Sequence, residues 1–64
     1  MVANKVKERR EQLGMTQEEL SEKSGVSRTI ISKLETNQKV DCKLSTLISL
    51  AKVLKQPISE IFLP

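Results

Sequence analysis

From Ser27 to Thr36, the polar residues Arg28, Thr29, Ser32 and Lys33 share one side at helical spacing, with Ile31 and Leu34 on the other. The chemistry open to that polar side is hydrogen bonding to the edges of bases. Arg28 can present its fork of donors to O6 and N7 of guanine, and Lys33 can reach guanine or a phosphate. Thr29 can donate, accept, or touch a thymine methyl. Ser27, just ahead of the helix, offers a hydroxyl and backbone N–H groups to phosphate oxygens. Reaction chemistry fits the chain poorly. There is no histidine, a single cysteine and no glycine-rich phosphate loop, and the carboxylates sit in helix caps or beside lysines. No enzyme activity, metal, cofactor or small-molecule ligand is expected.

A polar face on a short helix is ordinarily solvated surface and nothing more. The residues ahead of it argue otherwise. Thr16 followed three residues later by Glu19 is a capping box, in which hydroxyl and carboxylate each satisfy an orphan backbone N–H. Glu18 and Glu19 also suit the positive end of the helix dipole. Leu20 is the single large apolar residue of this segment, so the helix is short and needs a neighbour. Gly25 supplies the positive φ that ends a helix without steric cost, Val26 plugs the turn, and Ser27 caps the next helix. The stretch therefore predicts two helices, 17–24 and 28–36, hinged at Gly25, with the second presenting its cationic face to DNA.

The run from Thr16-Gln-Glu-Glu-Leu20 through Ser24-Gly25-Val26-Ser27 to Ile31-Ser-Lys-Leu-Glu35 resembles the Cro and phage-repressor family of helix-turn-helix proteins, also called the xenobiotic-response-element (XRE) family. The likeness extends from about Val6 to Phe62. It implies an all-α, five-helix, lambda-repressor-like domain whose third helix enters the major groove. Phage repressors are the usual illustration of that docking mode, so the geometry is taken over from them. Position by position, Gln17 would bond a phosphate from the start of helix 2. Arg28, Thr29, Ser32 and Lys33 would face base edges, and Ser27 the backbone. Arg10 falls on the Val6 side of helix 1, an odd place for a charge, and the family commonly pairs an arginine there with the glutamate ending helix 3, here Glu35. Two positions depart from the family: Cys42 stands where proline is frequent, and Lys43 where a Ser or Thr cap is usual. Ser21 replaces a frequent alanine, and its hydroxyl would bond the carbonyl four residues back.

The chain has 64 residues, room for one small domain over 1–64, and such a domain buries only about 60% of its unfolded surface. With no disulfide or metal to staple it, oligomerisation is the remaining aid. A net charge of +3 and a pI near 9.3 tilt it mildly towards polyanions. No apolar run approaches the roughly 18 residues of a membrane span and there is no secretory leader, so the cytoplasm is the default location. Residues 2–13 read as helix 1, with Val2, Val6 and Leu13 on its core side and Gly14 ending it. Asn37, Gln38, Lys39 and Lys43 form a polar loop whose donors could grip phosphates. Residues 44–55 are apolar over more than half their circumference and should run through the core, with Asp41 as an alternative cap if the helix starts early. Cys42 reads as a bland thiol rather than a redox sensor. After Pro57, residues 58–62 form a last short helix with Phe62 closing the core. Ile58, Ile61 and Leu63 cannot all face inward, and those left exposed are the candidate dimer contact.

Taken together, the residues predict a sequence-specific DNA-binding regulator, of repressor type, bound as a homodimer to an inverted repeat. The rival is the same fold used as a protein-interaction module, such as an antitoxin or anti-repressor, since fold does not fix function. Gln17, Ser27, Arg28 and Lys33 discriminate between them, because a pure interaction module has no need of that set.

Overall fold

The computed structural model describes residues 4–38 and 40–62 and is helical throughout its regular structure. Five helices follow in chain order: α1 (Val6–Gln12), α2 (Gln17–Ser24), α3 (Arg28–Glu35), α4 (Leu44–Val53) and α5 (Ile58–Ile61). Helix α2 packs against both α3 and α4, α1 lies on α3, and α5 closes against α4. Each helix contributes to one core of Val6, Leu20, Val26, Ile31, Leu34, Leu50, Leu54 and Ile61. Full burial of a leucine or isoleucine gains about 1.5–3 kcal/mol, so no short helix here is stable without its neighbours. Leu13, Met15, Ile30, Val40, Val53 and Phe62 pack around the margin of that core.

The helix ends explain why such short elements hold their angles. Thr16 and Glu19 form the reciprocal capping box at the start of α2, with Glu19 N–H donating to Thr16 Oγ1 at 3.0 Å and Thr16 N–H to Glu19 Oε1 at 3.1 Å. Ser27 Oγ accepts from Ile30 N–H at 3.2 Å and caps α3. At the other ends, α1, α3 and α4 finish in paired backbone bonds across a left-handed residue. Met15 N–H reaches the Arg10 carbonyl over Gly14, Gln38 N–H reaches Lys33 over Asn37, and Gln56 N–H reaches Ala51 over Lys55. Glycine and asparagine tolerate that conformation, whereas Lys55, at φ +59°, pays a steric penalty. Lys55→Gly is accordingly expected to raise stability by about 1 kcal/mol, read as a higher urea midpoint with unchanged m-value. An unchanged or lower midpoint would show that the Lys55 side chain contributes more than its backbone costs.

Two boundaries differ from the sequence expectation by two residues or more. Helix 1 starts at Val6 rather than residue 2, because Asn4 Oδ1 accepts from Val6 N–H at 3.2 Å and turns the chain there; Val2 lies outside the described residues. Helix 4 ends at Val53, two residues early, where Lys55 turns left-handed. It starts at Leu44 with Lys43 in the cap position and no side-chain cap, so Asp41 does not take that role. Helix 4 is also less central than its composition implies. Leu50, Ala51 and Leu54 are buried, but Leu44 is 65% exposed and Ile48 37%.

Candidate nucleic-acid interface

Helix α3 is held at its C-terminal end by a part-buried charge network. Arg10 Nε donates to Glu35 Oε2 at 2.8 Å and Arg10 Nη2 to Glu35 Oε1 at 3.0 Å, a bidentate pairing. Arg10 Nη1 donates further to the Met15 carbonyl at 2.6 Å, and Gln17 Nε2 to Glu35 Oε1 at 3.1 Å. The Glu35 side chain is 3% exposed and that of Arg10 11%. Burial alone would push the Glu35 carboxyl up, but the bonds from Arg10 and Gln17 and the charges of Arg10 and Lys7 outweigh it, leaving the pKa lowered. On Arg10, the bond to Glu35 outweighs burial and holds the guanidinium charged. Among the described residues no buried side-chain polar atom lacks a partner.

Asn4 adds a second tie to the same end of α3. Its Nδ2 donates to the Leu34 carbonyl at 2.7 Å and lies 3.5 Å from Asn37 Oδ1. The turn between α2 and α3 is fixed by two hydroxyls. Ser21 Oγ donates to the Val26 carbonyl at 2.6 Å, across the turn rather than back along its own helix as expected, because Val26 folds back over α2. Ser24 Oγ donates to the Leu20 carbonyl and accepts from Val26 N–H. Gly25 between them sits at φ +72°. Arg9 belongs to a face that reads as solvated, yet its Nε donates to the Leu54 carbonyl at 2.9 Å and ties α1 to the end of α4. Of these side chains Ser21 was expected to find a carbonyl, though a different one, and Asn4 carried a local signal as an Asn just ahead of a helix, but nothing in the sequence pointed to its tie to Leu34 or to that of Arg9 to Leu54.

The network leaves a shallow, open depression between the start of α2 and the outer side of α3, lined by Gln17, Arg28, Thr29, Ser32, Lys33 and Gln38. Arg28, Thr29 and Lys33 are exposed and Ser32 half-buried. Among the described residues no carboxylate lines the depression, so two cations and four neutral hydrogen-bonding side chains share one surface. Gln17 joins this surface with one amide N–H already given to Glu35, which leaves its second N–H free to donate outward. Ser27 lies at the N-terminus of α3, its Oγ engaged in the cap and its backbone exposed. Gln38 Nε2 donates to Thr36 Oγ1 at 3.0 Å, and exposed Lys43 stands at the start of α4. Asn37 is exposed, while Lys39 lies outside the described residues.

The expected dimer contact needs correction. Ile61 is 1% exposed, packed in the core by the turn that brings Lys5 N–H to its carbonyl at 2.8 Å, so it cannot meet another molecule. Ile58 is half-buried and Leu63 lies outside the described residues. Cys42 is a half-buried free thiol. Among the described residues no cluster of metal-ligating side chains occurs, and no helix is long and apolar enough to cross a membrane.

A helix-turn-helix family model matches residues 6–61, nearly the whole described chain. None of the curated proteins compared matches the sequence. Among solved structures, a chain of the SinR protein–SinI protein complex superposes with a TM-score of 0.81 at 27% identity, over 92% of this chain and 57% of that one. The present chain therefore spans little more than half the length of that neighbour. At that similarity the neighbour supports the five-helix, lambda-repressor-like fold of this chain. On the family match and the fold together, this chain belongs to the Cro and phage-repressor (XRE) type of helix-turn-helix DNA-binding regulators.

Proposed function

We propose that the chain is a sequence-specific DNA-binding regulator of repressor type that reads the major groove with α3 and binds an inverted repeat as a homodimer. The observation that carries this reading is the carboxylate-free depression that gathers Gln17, Arg28, Thr29, Ser32, Lys33 and Gln38 around the first turns of α3. Arg28, Thr29, Ser32 and Lys33 meet base edges; Gln17, Ser27, Asn37, Gln38, Lys39 and Lys43 hold the flanking phosphates. The rigid ties behind α3 support the assignment, because base readout fails unless the reading helix is held to within a fraction of an ångström. Symmetry then places two reading helices about 34 Å apart, one turn of duplex. Repression follows from occupancy, since a bound dimer covers its site.

Selection of bound duplexes from a random pool at low and moderate salt tests the proposal. An inverted repeat should be enriched, with affinity for it falling about a thousandfold between 50 and 200 mM salt if some six phosphates are neutralised. A pool that stays unenriched at both salts would remove sequence-specific reading and leave the protein-interaction module as the function.

A further inference from the structure

At the far end of α2 from the reading surface, Leu13, Met15, Lys23, Lys52, Val53 and Lys55 line an open cleft of about 340 Å³. Gln17 opens α2 beside α3, whereas Lys23 stands in its last turn, about 9 Å further along the helix axis, and the two surfaces share no residue. The floor is apolar: Leu13, Met15 and Val53 are half-buried and rest on the margin of the core. The rim is cationic. Lys23, Lys52 and Lys55 are exposed, and among the described residues none of them forms an ion pair and no carboxylate lines the cleft. Helices α1, α2 and α4 all end here, so their dipoles bring about 1.5 negative charges against three lysines and leave the cleft positive. Lys55 is held at φ +59°, which glycine would adopt at less cost, so the fold gives up some stability at the point where this cation meets the floor.

We propose that this cleft docks an acidic, amphipathic helix of a second protein. The inference stands beside the DNA reading and does not depend on it. Charge complementarity selects the partner. Carboxylates on the flanks of such a helix meet three unpaired ammonium groups, while its apolar residues at i, i+4 and i+7 cover Leu13, Met15 and Val53. Other classes of partner fit only half of the cleft. A phosphate backbone matches the lysines but leaves the apolar floor wet. An anionic bilayer takes up apolar side chains that protrude, and these lie at the bottom of a concavity, below the lysines. Among the described residues the chain has no strand, so an extended peptide finds no sheet edge to join, and the cleft has no aromatic ring for a proline-rich one. Recognition of a helix remains. A helix seated here leaves the outer side of α3 uncovered, so the partner and a duplex can be held at once.

The experiment selects ligands for the full chain from a displayed library of random peptides of about 16 residues, some four helical turns, in about 0.15 M salt. Enriched peptides should carry apolar residues at i, i+4 and i+7 flanked by Asp and Glu. They should shift the amide resonances of Met15, Lys23, Val53 and Lys55 and leave those of Arg28 to Lys33 in place. The Lys23→Gln/Lys52→Gln/Lys55→Gln variant should bind the best of them about tenfold or more weakly, the sum of three exposed ion pairs. Glutamine suits a helix as well as lysine does, and an unchanged melting temperature verifies the fold of the variant. Lys55→Gly separates binding from structure, because it should raise the urea midpoint and yet weaken the peptide about two- to fivefold. A scrambled peptide of the same composition should bind about tenfold or more weakly, since it keeps the charge and loses the apolar face. Equal binding of the scrambled peptide would reduce the cleft to a patch for any polyanion and overturn the proposal. Lysine-dependent binding to vesicles of phosphatidylserine and phosphatidylcholine, with no peptide enriched, would assign the cleft to a membrane surface instead. A library that yields no binder, or binders that shift only resonances outside the cleft, would end the proposal without touching the DNA reading.

Discussion

Glu35→Ala is expected to cost about 2–4 kcal/mol of folding stability, because it leaves the part-buried Arg10 guanidinium without its counter-charge. That is comparable to the whole stability of a domain this small, so the variant should be largely unfolded near 37 °C. Glu22→Ala, on the exposed side of α2, is the control and should shift the melting temperature little. Glu35→Gln should fall between, since a neutral amide keeps the shape and accepts one bond from Arg10. The pH dependence separates charge from packing. The Glu35 carboxyl is held below its ordinary value in the folded chain, so the unfolded chain binds the proton more readily. Its contribution is thus fully present above the unfolded carboxylate pKa, about 4.3, and is lost as pH falls through the lower folded value. The gap in melting temperature between wild type and Glu35→Gln should accordingly narrow below about pH 4. A gap that is constant with pH would assign the effect to packing, and equal shifts in the Glu35 and Glu22 variants would remove the pair from any role in stability.

The helices that the sequence marks most clearly are those whose signals are local. Thr16, Glu19, Gly25 and Ser27 act on backbone groups within three or four residues, so α2, the turn and the start of α3 were legible before any tertiary contact was known. Where the partner is distant, the reading ran out. Asn4 stops α1 from extending to residue 2 because its amide is engaged with Leu34 and its carbonyl oxygen with Val6. Lys55 ends α4 early by adopting a conformation that lysine seldom takes, against a lysine-containing pattern that favours continuing the helix. Apolar composition likewise cannot tell a residue inside the bundle from one on its rim. Ile61 and Leu44 are equally apolar in sequence, and only the packing of α5 onto α4 buries the first and leaves the second in water.

The outward residues of α3 were legible for a related reason. Ile31 and Leu34 fix the buried side of the helix, and the opposite side follows from a period of 3.6. Sequence did not reveal that Gln17 serves two surfaces. Its amide joins the part-buried Arg10–Glu35 pair to the depression, so the start of α2 both braces α3 and borders what α3 would read. A Gln17→Ala variant would disturb stability and any phosphate contact together, which makes it a poor probe of either.

Arg28 is the better probe, because no hydrogen bond within the described residues engages its side chain and its loss should leave the fold intact. It is the first residue of α3, at the end of a reading helix that comes nearest the bases. Under the proposed function, Arg28→Ala should weaken binding to the selected duplex by about 1–3 kcal/mol, roughly 5- to 150-fold, and relax the preference at one base pair of each half-site. Arg28→Lys should recover little of it, since a single ammonium cannot reproduce the two parallel bonds to O6 and N7 of guanine. Lys43→Ala should behave differently if Lys43 grips a phosphate: a uniform loss across sequences and a shallower salt slope, with base preference intact. The contrast is more informative than either affinity. A flat preference profile for Arg28→Ala with the same salt slope change as Lys43→Ala would make Arg28 a phosphate ligand. The readout would then pass to Thr29, Ser32 and Lys33. Neutral behaviour in both variants would mean that the depression beside α3 does not face the duplex.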